Sequence, residues 1–166
     1  MICQHFTSFL RLAIGHEDGS VEIYAFPSLT HQVTLKTFSK LIQCLSWHPA
    51  YSGASGDASL MADWLAVSSN ETAIHVFDVK KVLTDVSDKG GEAMEVEGEE
   101  EKGQQRALCV KPAVELSGHH LRVIQVVWSP HEDGKLASVS YDTTAQVQQN
   151  RSNLVSRVLL EFRQYN

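Results

Sequence analysis

Few side chains in this sequence have the types and spacing that chemistry needs. Arg122 and Tyr141 stand out. Single-stranded RNA binding uses a planar aromatic, on which bases stack, and a cation that neutralises phosphate. Lys40 and His120 are secondary candidates of the same kind. By type alone, the pair also fits an ordinary exposed tyrosine and a solvated arginine. His119-His120 has the look of a metal or acid/base pair, but no Cys or Glu at ligand spacing completes a zinc site. The tetrapeptide HEDG occurs twice, at His16 to Gly19 and His131 to Gly134. The two copies fall at different places in the surrounding pattern, so they are turn chemistry rather than a duplicated site. There is no G-x-S-x-G, no phosphate-cradling glycine loop and no H-E-x-x-H. The expectation is a non-enzyme with no cofactor, no metal and no small-molecule substrate.

The elements that must position these residues come from internal repetition. Three segments align without gaps: LAIGHEDGSVEIYA from Leu12, LAVSSNETAIHVFD from Leu65 and LASVSYDTTAQVQQ from Leu136. Leu12, Leu65 and Leu136 share a column, and so do Ala13, Ala66 and Ala137. Six residues after each leucine stands an acid: Asp18, Glu71 and Asp142. Alternating apolar residues with Asp, Asn, Gly and Thr between them read as two strands and a polar turn. Around Trp47 and Trp128, LIQCLSWHP and VIQVVWSP each read as a strand ended by Trp-x-Pro, because proline lacks the ladder donor. A further strand follows the first two hairpins, HQVTLKTF and then PAVELSG. The unit is four short strands with a period of about 40 residues.

Length and charge fit this organisation. The 166 residues allow one domain with a core, or a few small repeats. The net charge of −6 comes from one segment: Asp85 to Lys102 holds eight acids and two bases, and the rest carries 12 of each. That segment lies in an insert over 80–110, which is expected to be disordered because it has few apolar groups to bury. It is expected to act as a solvated spacer on the face opposite the candidate site. The glycine- and serine-rich AYSGASGDASLMAD lengthens the loop between the first two strands of the second unit. No apolar run approaches the roughly 20 residues of a membrane span. The start MICQHFTSFLRLAIG does not read as a signal peptide. Cys3, Cys44 and Cys109 are odd in number and far apart, as expected of reduced thiols in a cytosolic or nuclear protein.

The four-strand unit, with Gly118-His119 ahead of the third hairpin, resembles the WD-repeat β-propeller blade. The wording of LKTFSKLIQCLSWHPAYSG, GDASLMADWLAVSSNETAIHVFD and LSGHHLRVIQVVWSPHEDGKLASVSYDTTAQV goes further. It resembles the WD-repeat, RNA-binding subunits of the SMN complex, which assembles Sm rings on spliceosomal small nuclear RNAs. The resemblance runs from about Phe9 to Val147, interrupted by the insert. It implies an all-β WD-repeat propeller fragment of about three four-stranded blades with an incomplete ring, drawn from the second of two propellers. The partial propeller is expected over 1–148, with blades near 9–38, 40–119 and 120–148 and a divergent tail over 149–166. Within the tail, Leu154 to Phe162 fits either a strand or a short amphipathic helix.

The same resemblance implies small nuclear RNA and other SMN-complex subunits as partners, and a cytoplasmic and nuclear location that includes nuclear bodies. It places the loop after Gly118-His119 and the turn at Asp142 on one face, which would bring Arg122 and Tyr141 together. It also implies a blade network of His119, Ser138 or Ser140, and Asp142, with a Trp where this chain has Gln148. With that Trp missing, a weaker pairing of Asp142 with His119 is expected. No residue here is assignable to cap recognition. The alternatives are a WD-repeat scaffold that binds only proteins, or a non-functional truncated isoform.

Overall fold

The computed structural model describes residues 2–5, 11–49, 63–88, 107–132, 134–151 and 154–161. Among them, strands dominate and a single helix interrupts. The first blade is a meander of β1 (Ile2–His5), β2 (Arg11–Gly15), β3 (Ser20–Ala25) and β4 (Thr30–Lys36). The hairpin between β2 and β3 turns at Gly19, whose φ of 84° lies in the left-handed region where a Cβ is costly. Period-2 alternation sends Ala13, Val21 and Ile23 to one buried side of the sheet.

The second blade contains β5 (Ile42–Trp47), β6 (Trp64–Ser69) and β7 (Ile74–Asp78). Its long β5–β6 loop, residues 50–62, lies outside the described residues. After β7 the chain enters helix α1 (Val79–Asp88). This corrects the expectation of disorder at the start of the 80–110 insert. Asp78 caps the helix by accepting the Lys81 amide at 3.0 Å. Val79, Val82 and Leu83 recur at helical spacing and pack into the core beside Leu65 and Phe77. The acidic run at 89–106 lies outside the described residues. The insert ends in β8 (Ala107–Leu108), which pairs in parallel with β4 of the first blade. The chain then crosses back to β9 (Val114–Leu116), the fourth strand of the second blade.

The third blade is β10 (Val123–Trp128), β11 (Lys135–Ser140), β12 (Thr144–Arg151) and β13 (Leu154–Glu161). Thus the tail takes the strand option. It supplies the end of β12 and all of β13, in continuous antiparallel register from Thr144↔Glu161 to Arg151↔Leu154.

The three sheets stand side by side around two apolar joints, and the ring is open. Ala13, Val21 and Ile23 meet Ile42, Leu45, Leu65 and Phe77 in the first joint. Ala66, Ile74 and Val76 meet Val123, Val126, Trp128 and Leu136 in the second. Each joint has a backbone stitch: the Ile42 amide donates to the His16 carbonyl at 3.0 Å, and the Val123 amide to the Glu71 carbonyl at 3.2 Å. Arg11 and Asp63 pair at the opposite end of the first joint. In the second, the Trp128 indole donates to the Ser46 carbonyl at 3.0 Å.

Candidate nucleic-acid interface

The hairpin turns near Asp18, Glu71 and Asp142 lie at one end of the sheets. The blade-to-blade connections at residues 37–41 and 117–122 emerge at the same end. Helix α1 leaves from the other, where the Val79 amide donates to the Asp63 carbonyl at 3.0 Å.

Asp142 organises this turn face. One carboxylate oxygen accepts from the Thr144 hydroxyl at 2.6 Å and the Thr144 amide at 3.0 Å. The other accepts from the His120 amide at 2.8 Å and faces His119 Nδ1 at 3.1 Å. Burial opposes its charge, but the hydrogen bonds from Thr144, His120 and His119 outweigh burial and hold the carboxyl well below the usual carboxylate range.

His119 is buried, and its Nε2 lies 2.9 Å from the Ser138 hydroxyl. A proton on Nδ1 directed at Asp142 leaves Nε2 to accept from Ser138. With Nδ1 donating, the Gln146 amide goes to the Gly118 carbonyl at 3.0 Å. Gln148 Nε2 then donates to Gln146 Oε1 at 3.1 Å. Gln148, standing where the family pattern has Trp, therefore extends the network as a buried polar group. A cavity of about 10 Å³ beside it, between Trp64, Trp128 and Leu136, has room for about one water. Ser140 does not touch the histidine. Its hydroxyl shares its one proton between the Leu121 and Arg122 carbonyls, each at 3.0 Å, and accepts from the Asp142 amide at 3.1 Å.

These bonds fix the loop that carries Arg122 against the turn that carries Tyr141. The Tyr141 amide donates to the Arg122 carbonyl at 3.1 Å. The Arg122 guanidinium carbon sits 4.0 Å from the centroid of the Tyr141 ring. This is cation–π distance, with Tyr141 53% exposed. His120 is exposed on the same loop. Lys40 is also exposed, but on the preceding connection, one joint away. Between them lies Glu71, which accepts from the Ser39 hydroxyl at 3.2 Å. The structure thus joins Arg122 with Tyr141 and leaves Lys40 as a separate cation on the same face.

Two apolar residues on this face carry no obvious chemical signal. Leu41 and Leu121 are both exposed. Aligning Trp47 with Trp128 would have found them: the two connections read Lys40-Leu41 and Leu121-Arg122, a cation and a leucine in opposite order. Among the described residues, no group of three His, Cys, Asp or Glu gathers as a metal site. Among those residues too, no helix is long and apolar enough to cross a membrane.

No protein-family profile matches the chain. Two curated relatives are similar to it: Gem-associated protein 5 of Homo sapiens and of Mus musculus, each 35% identical over 136 residues. The match covers 82% of this chain, and the chain spans about 8% of the length of either relative. Among solved structures, the β-propeller domain of Myceliophteria thermophila Cps50 (Swd1) superposes with a TM-score of 0.60 at 17% identity. That match covers 95% of this chain and 38% of the other. A chain of a mitotic checkpoint complex gives 0.59 at 21% identity, covering 90% and 33%.

Proposed function

The chain is a WD-repeat propeller segment and a relative of Gem-associated protein 5 over 82% of its length, and from that premise we propose that it is an RNA-binding component of the SMN complex. In this role it recognises small nuclear RNA during assembly of spliceosomal ribonucleoproteins, in the cytoplasm and in nuclear bodies. The observation that carries the proposal is the stack of Arg122 on Tyr141, exposed on the turn face and fixed from beneath by Asp142 and Ser140. A base stacks on the open ring face or on the outer plane of the guanidinium, and the cation neutralises the neighbouring phosphate. Lys40 and His120 add charge and hydrogen bonds along the strand's path.

Exposed Leu41 and Leu121 favour a second reading, a protein-docking scaffold, because apolar groups beside cations also suit a protein partner. Binding of the 166-residue chain to a single-stranded small nuclear RNA fragment, followed by anisotropy from low to moderate salt, separates the two. Tyr141→Ala should weaken binding about 5- to 150-fold, the range of one stacked base, with little change in salt slope. Arg122→Ala should weaken it and also flatten the slope by about 0.7, one single-strand phosphate contact. Unchanged affinity in both variants removes the pair from the site. No RNA binding by the parent chain leaves the scaffold.

A further inference from the structure

The insert between the third and fourth strands of the second blade leaves that blade and returns to it. In the first blade the corresponding turn is residues 26–29. In the second, β7 ends at Asp78, β9 begins at Val114, and the path between them visits the neighbouring blade. One end of this path is built on α1. The Val79 amide donates to the Asp63 carbonyl at 3.0 Å, beside the Arg11–Asp63 pair that spans the first joint. Asp78 caps the helix, and Val79, Val82 and Leu83 pack among the residues of that joint. The other end lies on the first blade. There β8 pairs with Thr34 and Leu35 of β4, the strand that carries Val33 and Leu35 into the same joint. Val110 packs on the same apolar cluster, and the Ala113 amide donates to the Val76 carbonyl at 2.8 Å as the chain rejoins the second blade.

From this path we infer that the insert is a strap that holds the first joint together from outside, anchored on the second blade by α1 and on the first by β8. Leu83 and Val110, one at each end, are partly buried against a cluster that both blades supply, so opening the joint would return them to water. The hold comes from apolar contact and ladder bonds, and the acidic run between the anchors takes no part in it. The anchors differ in strength. α1 has a cap and three apolar side chains in the joint, whereas β8 has two residue pairs at the edge of its sheet. Its pairing is parallel, the slightly weaker arrangement per residue. Release therefore starts at β8. Among the described residues, the second joint has no such strap. The joint that is strapped positions residues 37–41, the connection that carries Lys40, through the Phe38 and Ile42 amides.

Hydrogen exchange of the full chain tests this, because the Ile42 amide reports the first joint and the Val123 amide the second. Val110→Asp, at a side chain already partly exposed, should quicken exchange at Ile42 about 5- to 30-fold and leave Val123 unchanged. Leu83→Asp, at the other anchor, should do the same. Replacing residues 89–106 by glycine and serine at equal length keeps both anchors and should leave both amides as they were. In the parent chain the amides of β8 should exchange faster than those of α1. Unchanged Ile42 exchange in either Asp variant, equal quickening of Ile42 and Val123, faster Ile42 exchange in the glycine–serine chain, or α1 exchanging before β8 would each overturn the proposal.

Discussion

Asp142 reaches both halves of the candidate surface, and its ionisation is part of the fold. The folded carboxyl titrates below its ordinary value of 3.8, so its stabilisation is complete above that pH and fades as the pH falls through the folded value. Asn at this position keeps the shape and loses the charge. We expect Asp142→Asn to cost about 1–3 kcal/mol at neutral pH, the worth of hydrogen bonds to a charged group. The gap to wild type should shrink below about pH 4, as the carboxyl of the unfolded chain takes up a proton that the folded one still refuses. Urea unfolding midpoints measured from pH 7 to 3 check this, and a gap that stays constant would show that the charge is not what matters. Arg122, Tyr141 and Asp142 stand out in the sequence by residue type. The roles of Ser138 and Ser140 do not, because two serines on one side of one strand have the same local pattern. Only the position of His119 decides which of them it meets.

At the scale of elements, close approach between blades governs what each strand tolerates. Gly15 ends β2 at the first joint, and a Cβ there would lie 2.5 Å from Ile42 Cγ2. Ile42 is buried, and its amide is the stitch to His16, so it has little room to retreat. Gly15→Ala should destabilise the chain by about 1–3 kcal/mol through overpacking. Hydrogen exchange should quicken at the Ile42 amide more than at β12. Equal stability would mean that the joint relaxes without loss. The four-strand unit was legible because alternation, turn residues and Trp-x-Pro stops are local signals. Helix α1 was hidden by the acidic composition that follows it. Its four useful residues, Asp78, Val79, Val82 and Leu83, are a cap and a short apolar stripe at the edge of a polar segment. Strand β13 left two options open, since eight residues of mixed polarity become a strand only when an edge such as β12 offers its ladder.

For the whole molecule, an open stack of three blades buries two joints and leaves two half-joints in water. Repeat proteins draw their stability from such interfaces, so the isolated chain should be marginal. It should melt at low temperature and with weak cooperativity. Scanning calorimetry of the purified chain decides. A cooperative, high-temperature melt would show that three blades suffice alone. The segment that supplies the net charge of −6 begins inside α1, at Asp85 and Asp88, and that helix leaves the sheets at the end opposite the turn face.

By itself the sequence determined the blade: its repeat columns, its turn acids, its four-strand order and the concentration of charge in one insert. Each is a local or periodic property, written in residues a few positions apart. Only the tertiary structure decided that Arg122 lies over Tyr141 and that Gln148 joins the histidine network. It likewise returned β8 to the first blade and made β13 the edge of the third. Those outcomes depend on strand register and on contacts between residues far apart in the chain, where one residue of slip would turn every side chain to the other face.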